Sequence, residues 1–307
     1  MFSLHWSKYR EQGFFLGIRF LFWLHHRIGP YAFKVTVYPV VLFYYLKNRS
    51  GRKAIREYLD LFSKRFPNSC TRSNWRTGFQ IFLNFSNSAI EKLEAWFVGV
   101  PDNQVNFPNR TVLHHLVTSG QGGLIIGSHL GNLEVSRALG SLTEVRVNVL
   151  VHTKHAVKFN RMMKMLNPLS QVRLIQVTEV SPALMMHLSK AIGCGELIII
   201  VGDRIPINSV GRTCDAVFLG KRAPFPQGPY ILASLLKCPI YTLFCLSSST
   251  GYDIYMEKLC DRVLMKRNDR EGHINFLVSE FAKRLERYCR LAPLQWYNFY
   301  PFWDQQR

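Results

Sequence analysis

Carboxylates are scarce in this sequence. Its 20 Asp and Glu face 39 Lys and Arg, which gives a formal net charge of +19 and a pI near 9.9. Such a surface suits anionic partners such as phospholipid headgroups, nucleic acid or an acidic protein. Cysteine pairing is also missing. The 7 cysteines include no CxxC pair, so a disulfide framework and a zinc site both lack support, and a reducing compartment is the simple expectation. The GxSxG nucleophile elbow is absent, and so is HExxH. Gly120-Gln121-Gly122-Gly123 comes before an apolar run rather than after one, so it matches neither a dinucleotide fingerprint nor a P-loop. His25-His26, His114-His115 and the His152/His155 pair lack Cys or carboxylate companions. We therefore expect no metal and no bound cofactor. The basic residues are scattered rather than striped, and no helix-turn-helix or ribonucleoprotein motif occurs, so nucleic acid is not the expected partner. Internal repeats and low-complexity segments are absent as well.

Apolar residues are plentiful. They make up 48% of the 307 positions, enough for one large buried core or two small ones. Near the N-terminus, Gly13–Leu24 and Tyr31–Leu46 are apolar and rich in Phe, Tyr and Trp, with His25-His26-Arg27-Ile28-Gly29-Pro30 between them. Neither stretch reaches the roughly 20 uninterrupted apolar residues of a bilayer span. Arg19, Lys34 and Pro39 interrupt them, and no small-residue cleavage site of a signal peptide follows. Aromatic side chains favour the headgroup level, and with the interleaved cations they fit a helical hairpin lying in the interface, or one shallow span. Lys47, Arg49, Arg52, Lys53 and Arg56 come next and, by the positive-inside tendency, place the remainder on the cytoplasmic side. This divides the chain into a membrane-associating helical segment, 1–50, and a main domain, 51–307. The competing reading of the first segment is a pair of core helices packed on that domain.

Further along, periodicity predicts helices over 53–66, 75–98 and 111–119, then a strand at Leu124–Ile126. Strands over 145–151, 172–177 and 196–201 alternate with helices over 159–166 and 182–192. That alternation argues an α/β fold with a mixed, largely parallel sheet flanked by helices. A helix from Gln227, a strand at Ile240–Leu246, edge strands at Tyr252–Met256 and Arg262–Met265, and an amphipathic helix over Ile274–Tyr288 complete the pattern. The aromatic tail Pro293–Trp303 is expected to pack back on the domain.

The chain's chemistry is concentrated in Gly122–Glu134. A short β-branched run ends in Gly127-Ser128, His129 follows, and Glu134 opens the next helical pattern. His129 then stands at the carboxyl end of a strand, where open α/β sheets bind ligands. An imidazole in that place is a candidate general base, and a nearby carboxylate, Glu134, could fix its tautomer. A lone His at a strand end is more often only a satisfied polar residue, so the pair needs company. Some comes from Gly202-Asp203-Arg204, a second charged strand end on the same edge if the sheet is parallel. It reads equally as substrate binder or structural ion pair. Phe218–Pro229 reads as a loop stiffened by proline and glycine, with Lys221 and Arg222 as possible phosphate ligands beside a helix N-terminus.

These blocks together carry a resemblance. His129-Leu130-Gly131-Asn132-Leu133-Glu134 resembles the HxxxxD/E motif of the glycerolipid acyltransferase superfamily. The glycine–strand–Ser-His-x-Gly-Asn-x-Glu form resembles the lauroyl/myristoyl acyltransferases of lipid A biosynthesis. Gly202-Asp203-Arg204 is similar to that branch's third block, and Phe218-Leu219-Gly220 with Phe225-Pro226-Gln227-Gly228-Pro229 to its substrate-binding block. Cys238-Pro239-Ile240 is similar to its last block. The overall form is most similar to the acyltransferases found with aryl polyene pathways. One block departs: where the lipid A enzymes carry an Arg, the stretch here is Val151-His152-Thr153-Lys154-His155, and Lys154 or a histidine takes that place.

The resemblance implies a glycerolipid-acyltransferase-like fold at the cytoplasmic face of a bacterial inner membrane. It also implies transfer of a fatty acyl group from a thioester, acyl carrier protein being the expected donor, to a hydroxyl of a lipid or glycolipid. His129 would be the base and Glu134 its orienting carboxylate. Asn132, Lys154, Asp203, Arg204, Gly220, Lys221, Arg222, Phe225 and Gly228 would contact substrate. Backbone N–H groups near Gly131, or Arg204, are the candidate oxyanion donors. A thioesterase or lipid hydrolase using the same His, and a non-enzymatic basic binder of membrane or nucleic acid, are the rival readings.

Overall fold

The computed structural model describes residues 35–97, 100–133, 145–151, 172–177, 181–205, 212–263 and 269–304. Their helices are α1 (35–47), α2 (Arg49–Arg65), α3 (Trp75–Phe97), α4 (Arg110–Thr118), α5 (Pro182–Gly193), α6 (Gly228–Leu236) and α7 (Arg270–Leu291). Their strands are β1 (Val105–Asn106), β2 (Gly123–Gly127), β3 (Val147–Val151), β4 (Val172–Gln176), β5 (Leu197–Val201), β6 (Thr213–Phe218), β7 (Lys221–Pro226), β8 (Ile240–Ser248) and β9 (Gly251–Cys260). The helix expected over 159–166 lies outside the described residues.

Runs such as Gly-Leu-Ile-Ile-Gly in β2 and Leu-Ile-Ile-Ile-Val in β5 are short, β-branched and apolar throughout, as strands covered on both faces must be. Among the described residues they build a seven-stranded sheet in the order β1-β9-β8-β2-β5-β3-β4. The strands from β8 to β4 run parallel, β9 returns antiparallel to β8, and β1 is parallel to β9. The mixed, largely parallel α/β sheet is therefore present. Successive side chains of β2 and β5 divide between two cores. Leu124, Ile126 and Ile198 join the larger core with α2, α3, α6 and α7, while Ile125, Leu197 and Ile199 join the smaller one with α4.

Local signals explain three of the helix ends. The Asn48 side chain caps α2 by accepting from Gly51 N–H at 2.8 Å, and Ser181 caps α5 by accepting from Leu184 N–H at 3.2 Å, with Pro182 at its start. Arg52, one of the cations read as marking the cytoplasmic side, donates to the Tyr45 and Leu46 carbonyls that end α1.

The Phe218–Pro229 loop reading needs correction. Lys221–Pro226 is a strand paired antiparallel to β6, and Leu219-Gly220 is the two-residue turn between them, with φ of 52° and 79°. Both residues are left-handed, which matches the strand twist of a tight hairpin. The Leu219 N–H donates to Glu286 at 2.7 Å, which steadies a conformation that leucine seldom adopts. Prolines 224 and 226 are tolerated because β7 belongs to a two-stranded sheet with an open edge. Arg262 and Val263, read as the start of an edge strand, follow β9 without strand structure, and 264–265 lie outside the described residues.

Part of the 1–50 segment is visible as α1. Val37, Val41 and Tyr45 stand at helical spacing and join the same core cluster as α2 and α3. Tyr45 packs edge-on against Phe79 at 5.4 Å and Phe82 at 5.1 Å, and its hydroxyl donates to the Trp75 carbonyl at 3.1 Å. The other face of α1 exposes Val35, Tyr38, Val40, Phe43, Tyr44 and Leu46. No helix of the described residues is long and apolar enough to cross a membrane.

The aromatic tail does pack back on the domain. Trp296, Tyr297, Phe302 and Trp303 are buried in the larger core.

Candidate active site

β2 and β5 lie side by side in register, Gly127 opposite Val201, and the Gly202 N–H continues the ladder to the Gly127 carbonyl at 2.9 Å. His129 lies two residues beyond the end of one strand and Asp203 two residues beyond the end of the other, so the pairing brings them level at the carboxyl edge. Asp203 Oδ1 sits 2.8 Å from His129 Nδ1, and Asp203 Oδ2 accepts the His129 backbone N–H at 2.8 Å. The carboxylate is nearly sealed, with 2% of its side chain exposed, whereas the imidazole keeps 29% open. A His with one ring nitrogen held by a buried carboxylate and solvent at its edge has the form of an oriented general base.

Electrostatics favour that state. Burial holds the His129 pKa below its ordinary value and the Arg204 guanidinium pushes the same way; Asp203 and its hydrogen bond oppose them without prevailing, and Lys92 adds to the lowering. Burial pushes the Asp203 carboxyl up, but the charge and hydrogen bonds of His129, together with Arg204, outweigh it and keep its pKa below the usual value. Near neutral pH the pair is thus a neutral imidazole on an ionised carboxylate.

A third element completes the site. Residues 295–300 lie across the strand ends. Gln295 accepts the Gly131 N–H at 2.8 Å, Tyr297 N–H donates to the His129 carbonyl at 3.0 Å, and Leu130 pairs with Trp296 as a bridge. Trp296 Nε1–H donates to Asp203 Oδ2 at 3.1 Å, and the Tyr300 hydroxyl donates to the Asp203 carbonyl at 3.1 Å. Arg204 donates to the Tyr297 carbonyl at 3.1 Å and lies over the Tyr300 ring at 5.5 Å. Gly131 is required in this turn. Its φ is +69°, and a Cβ there would stand 1.9 Å from the Cys245 carbonyl oxygen. α3 closes the other side: Glu91 accepts from Ser247 at 3.0 Å, and Asn132 donates to the Ser88 carbonyl at 3.0 Å.

Several expected roles change with this geometry. Asp203, read as a substrate ligand, holds His129 instead. Glu134, expected to orient His129, and Lys154 lie outside the described residues; the carboxylate found at His129 Nδ1 is that of Asp203. Asn132, read as a substrate ligand, is buried, and its side-chain NH2 donates to the Ser88 carbonyl of α3. Of the backbone N–H groups near Gly131 read as candidate oxyanion donors, that of Gly131 goes to the Gln295 carbonyl, that of Asn132 to the Cys245 carbonyl and that of Leu130 to the Ser128 hydroxyl; Arg204, the other candidate, donates to the Tyr297 carbonyl.

The expected substrate loop is engaged elsewhere. Gly220 forms the hairpin turn, Lys221 is paired with Glu57 at 2.8 Å, and Arg222 is exposed opposite Val217 on the hairpin. Phe225 packs on Phe281 and Phe302 in the core, and Gly228 starts α6. Trp296 and Tyr300 were missed as site residues. Their only sequence signal was the density of aromatics in the tail.

Among the described residues, no group of three or more His, Cys, Asp or Glu could hold a metal ion. Compared with known proteins, the chain matches no family model and no curated protein.

Proposed function

We propose that the protein is a membrane-associated O-acyltransferase of the lauroyl/myristoyl branch of the glycerolipid acyltransferase superfamily. In this reading a fatty acyl group passes from a thioester, with acyl carrier protein as donor, to a hydroxyl of a lipid or glycolipid. The observation that carries it is the His129–Asp203 pair at the carboxyl edge of a parallel sheet, within the sequence blocks of that branch.

Neutral His129 takes the acceptor hydroxyl proton as the oxygen attacks the thioester carbonyl carbon. Asp203 holds the Nδ1 proton, which leaves Nε2 free of a proton to act as base, and offsets the charge of the imidazolium that forms. The tetrahedral intermediate expels the thiolate, which takes the proton back from His129. General base catalysis of this kind contributes about 10²–10⁴ in rate. Arg204 supplies positive charge on the side where the carbonyl oxygen becomes an oxyanion. The exposed apolar face of α1 and the cations at its end support placing the domain on a lipid surface. The excess of basic residues would steer an acidic carrier protein.

The experiment is turnover of an acyl carrier protein thioester by the purified protein with a membrane lipid extract. An acylated lipid formed by the wild type and lost in His129→Ala supports the reading. Free acid as the sole product would move the protein to the hydrolases, and normal transfer by His129→Ala would remove the role of the site.

A further inference from the structure

Asp203 Oδ2 accepts two hydrogen bonds: the His129 backbone N–H at 2.8 Å and the Trp296 indole N–H at 3.1 Å. Two donors on one oxygen fix the rotation of the carboxylate, and that rotation is what aims Oδ1 at Nδ1. The indole is itself held firmly. It is fully buried, with Tyr58, Phe302 and Phe218 rings at 5.0, 5.0 and 5.2 Å. Its backbone is pinned as well. The preceding Gln295 exchanges hydrogen bonds between its carboxamide and the Ser247 backbone at 2.9 and 2.7 Å, and the Tyr58 hydroxyl donates to the Pro293 carbonyl at 2.8 Å.

We infer that Trp296 is a positioning residue for the His129 base: its N–H locks the Asp203 carboxylate in plane and draws off part of its charge, limiting how strongly it holds a proton on the imidazole. The kinetic consequence rests on the acyl transfer proposed above; the effect on His129 does not. A donor to one carboxylate oxygen lowers the basicity of the whole group. Losing it leaves Asp203 a stronger partner for imidazolium, and His129 then protonates more readily.

Among the described residues, other charged and titratable groups bear on the pair and are not themselves altered by changing Trp296: Arg204 after β5, Lys92 from α3, Cys289 from α7 and Tyr300 from the strap over the strand ends.

The test compares three full-length proteins with the wild type. Trp296→Phe removes the N–H and some ring volume. Replacement of Trp296 by benzothienylalanine removes only the N–H and keeps the shape. Trp303→Phe is a control, since Trp303 donates to the Phe218 carbonyl at 3.4 Å. The His129 ring is titrated by nuclear magnetic resonance, without substrate, and the pH profile of turnover is recorded separately. Both Trp296 variants are expected to move the His129 titration to higher pH. The acid limb of kcat should move with it and kcat should fall about tenfold at little change in KM, one decade being about 1.4 kcal/mol. The Trp303 control should leave the titration where it is. An unmoved or lowered titration in the benzothienylalanine protein, whatever its thermal stability, overturns the inference. A shifted titration in a protein whose wild type transfers no acyl group upholds the positioning role and overturns the proposed reaction.

Discussion

Replacing Asp203 by asparagine changes the site's electronics while barely changing its shape. The side chain must still satisfy two donors on one oxygen, the His129 backbone N–H and Trp296 Nε1–H. Only the amide oxygen can accept them, so the NH2 group is turned to His129 Nδ1. An N–H facing Nδ1 forces the imidazole into the tautomer with its proton on Nε2, the nitrogen that should act as base. Two losses follow. The charge that offsets the imidazolium disappears; unit charges at about 4 Å in an effective dielectric of 20 interact by about 4 kcal/mol, close to three decades in rate. The base also starts from the wrong tautomer, an inversion that costs about 10⁴ in kcat where the same Asp-to-Asn change is known in serine proteases. The two losses overlap, so kcat should fall by about 10³–10⁴ with KM little altered. The assay is thioester turnover with a lipid acceptor, paired with nitrogen-detected resonance of His129 to read the tautomer. A folded Asp203→Asn protein that keeps the Nδ1–H tautomer, or turns over within about threefold of the wild type, refutes the reasoning.

The pH profile should follow His129. Its folded pKa is held below the ordinary value of about 6.5, so the base stays neutral above that pH. Activity should be flat through neutrality and be lost only as pH falls below the ordinary histidine range, as read from log kcat/KM against pH. Gly131→Ala places a Cβ against the Cys245 carbonyl oxygen in a left-handed turn; a stability loss above about 2 kcal/mol is expected, seen as a lower midpoint of thermal unfolding. Lys221→Ala removes a half-exposed pair with Glu57, so stability should change by less than about 1 kcal/mol and turnover hardly at all; a large loss of turnover would restore Lys221 as a substrate ligand. Phe43→Glu on the open face of α1 should weaken co-flotation with anionic phospholipid vesicles several-fold without changing the thermal midpoint.

Legibility in the sequence tracked how local the cause was. The runs at 123–127 and 197–201 declared themselves as buried strands because each needs only its own side chains to be apolar on both faces, and 147–151 and 172–176 were legible as strands from their β-branched and apolar residues, although β4, at the sheet edge, exposes Arg173. The helical patterns of 182–192 and 274–288 marked α5 and α7 for the same reason. His129 as a residue of interest was also legible, since it ends such a strand. The β6–β7 hairpin was not, because its turn is Leu219-Gly220 and its second strand carries prolines, both against local preference. The structure overrides that preference through Glu286 and an open sheet edge.

The chain by itself thus determined the α/β alternation, the placement of a histidine at a strand end and the apolar character of the tail. Which carboxylate meets that histidine was decided only by the tertiary structure. Asp203 lies 74 positions from His129, and they meet because β5, not a nearer neighbour in sequence, inserts beside β2 in register. Strand order in a parallel sheet depends on how distant crossovers pack, and no local period encodes it. The contact of Trp296 with Asp203, across 93 positions, is one step further removed, since it needs the sheet, the larger core and the folded-back tail in place before the indole N–H has a carboxylate to meet.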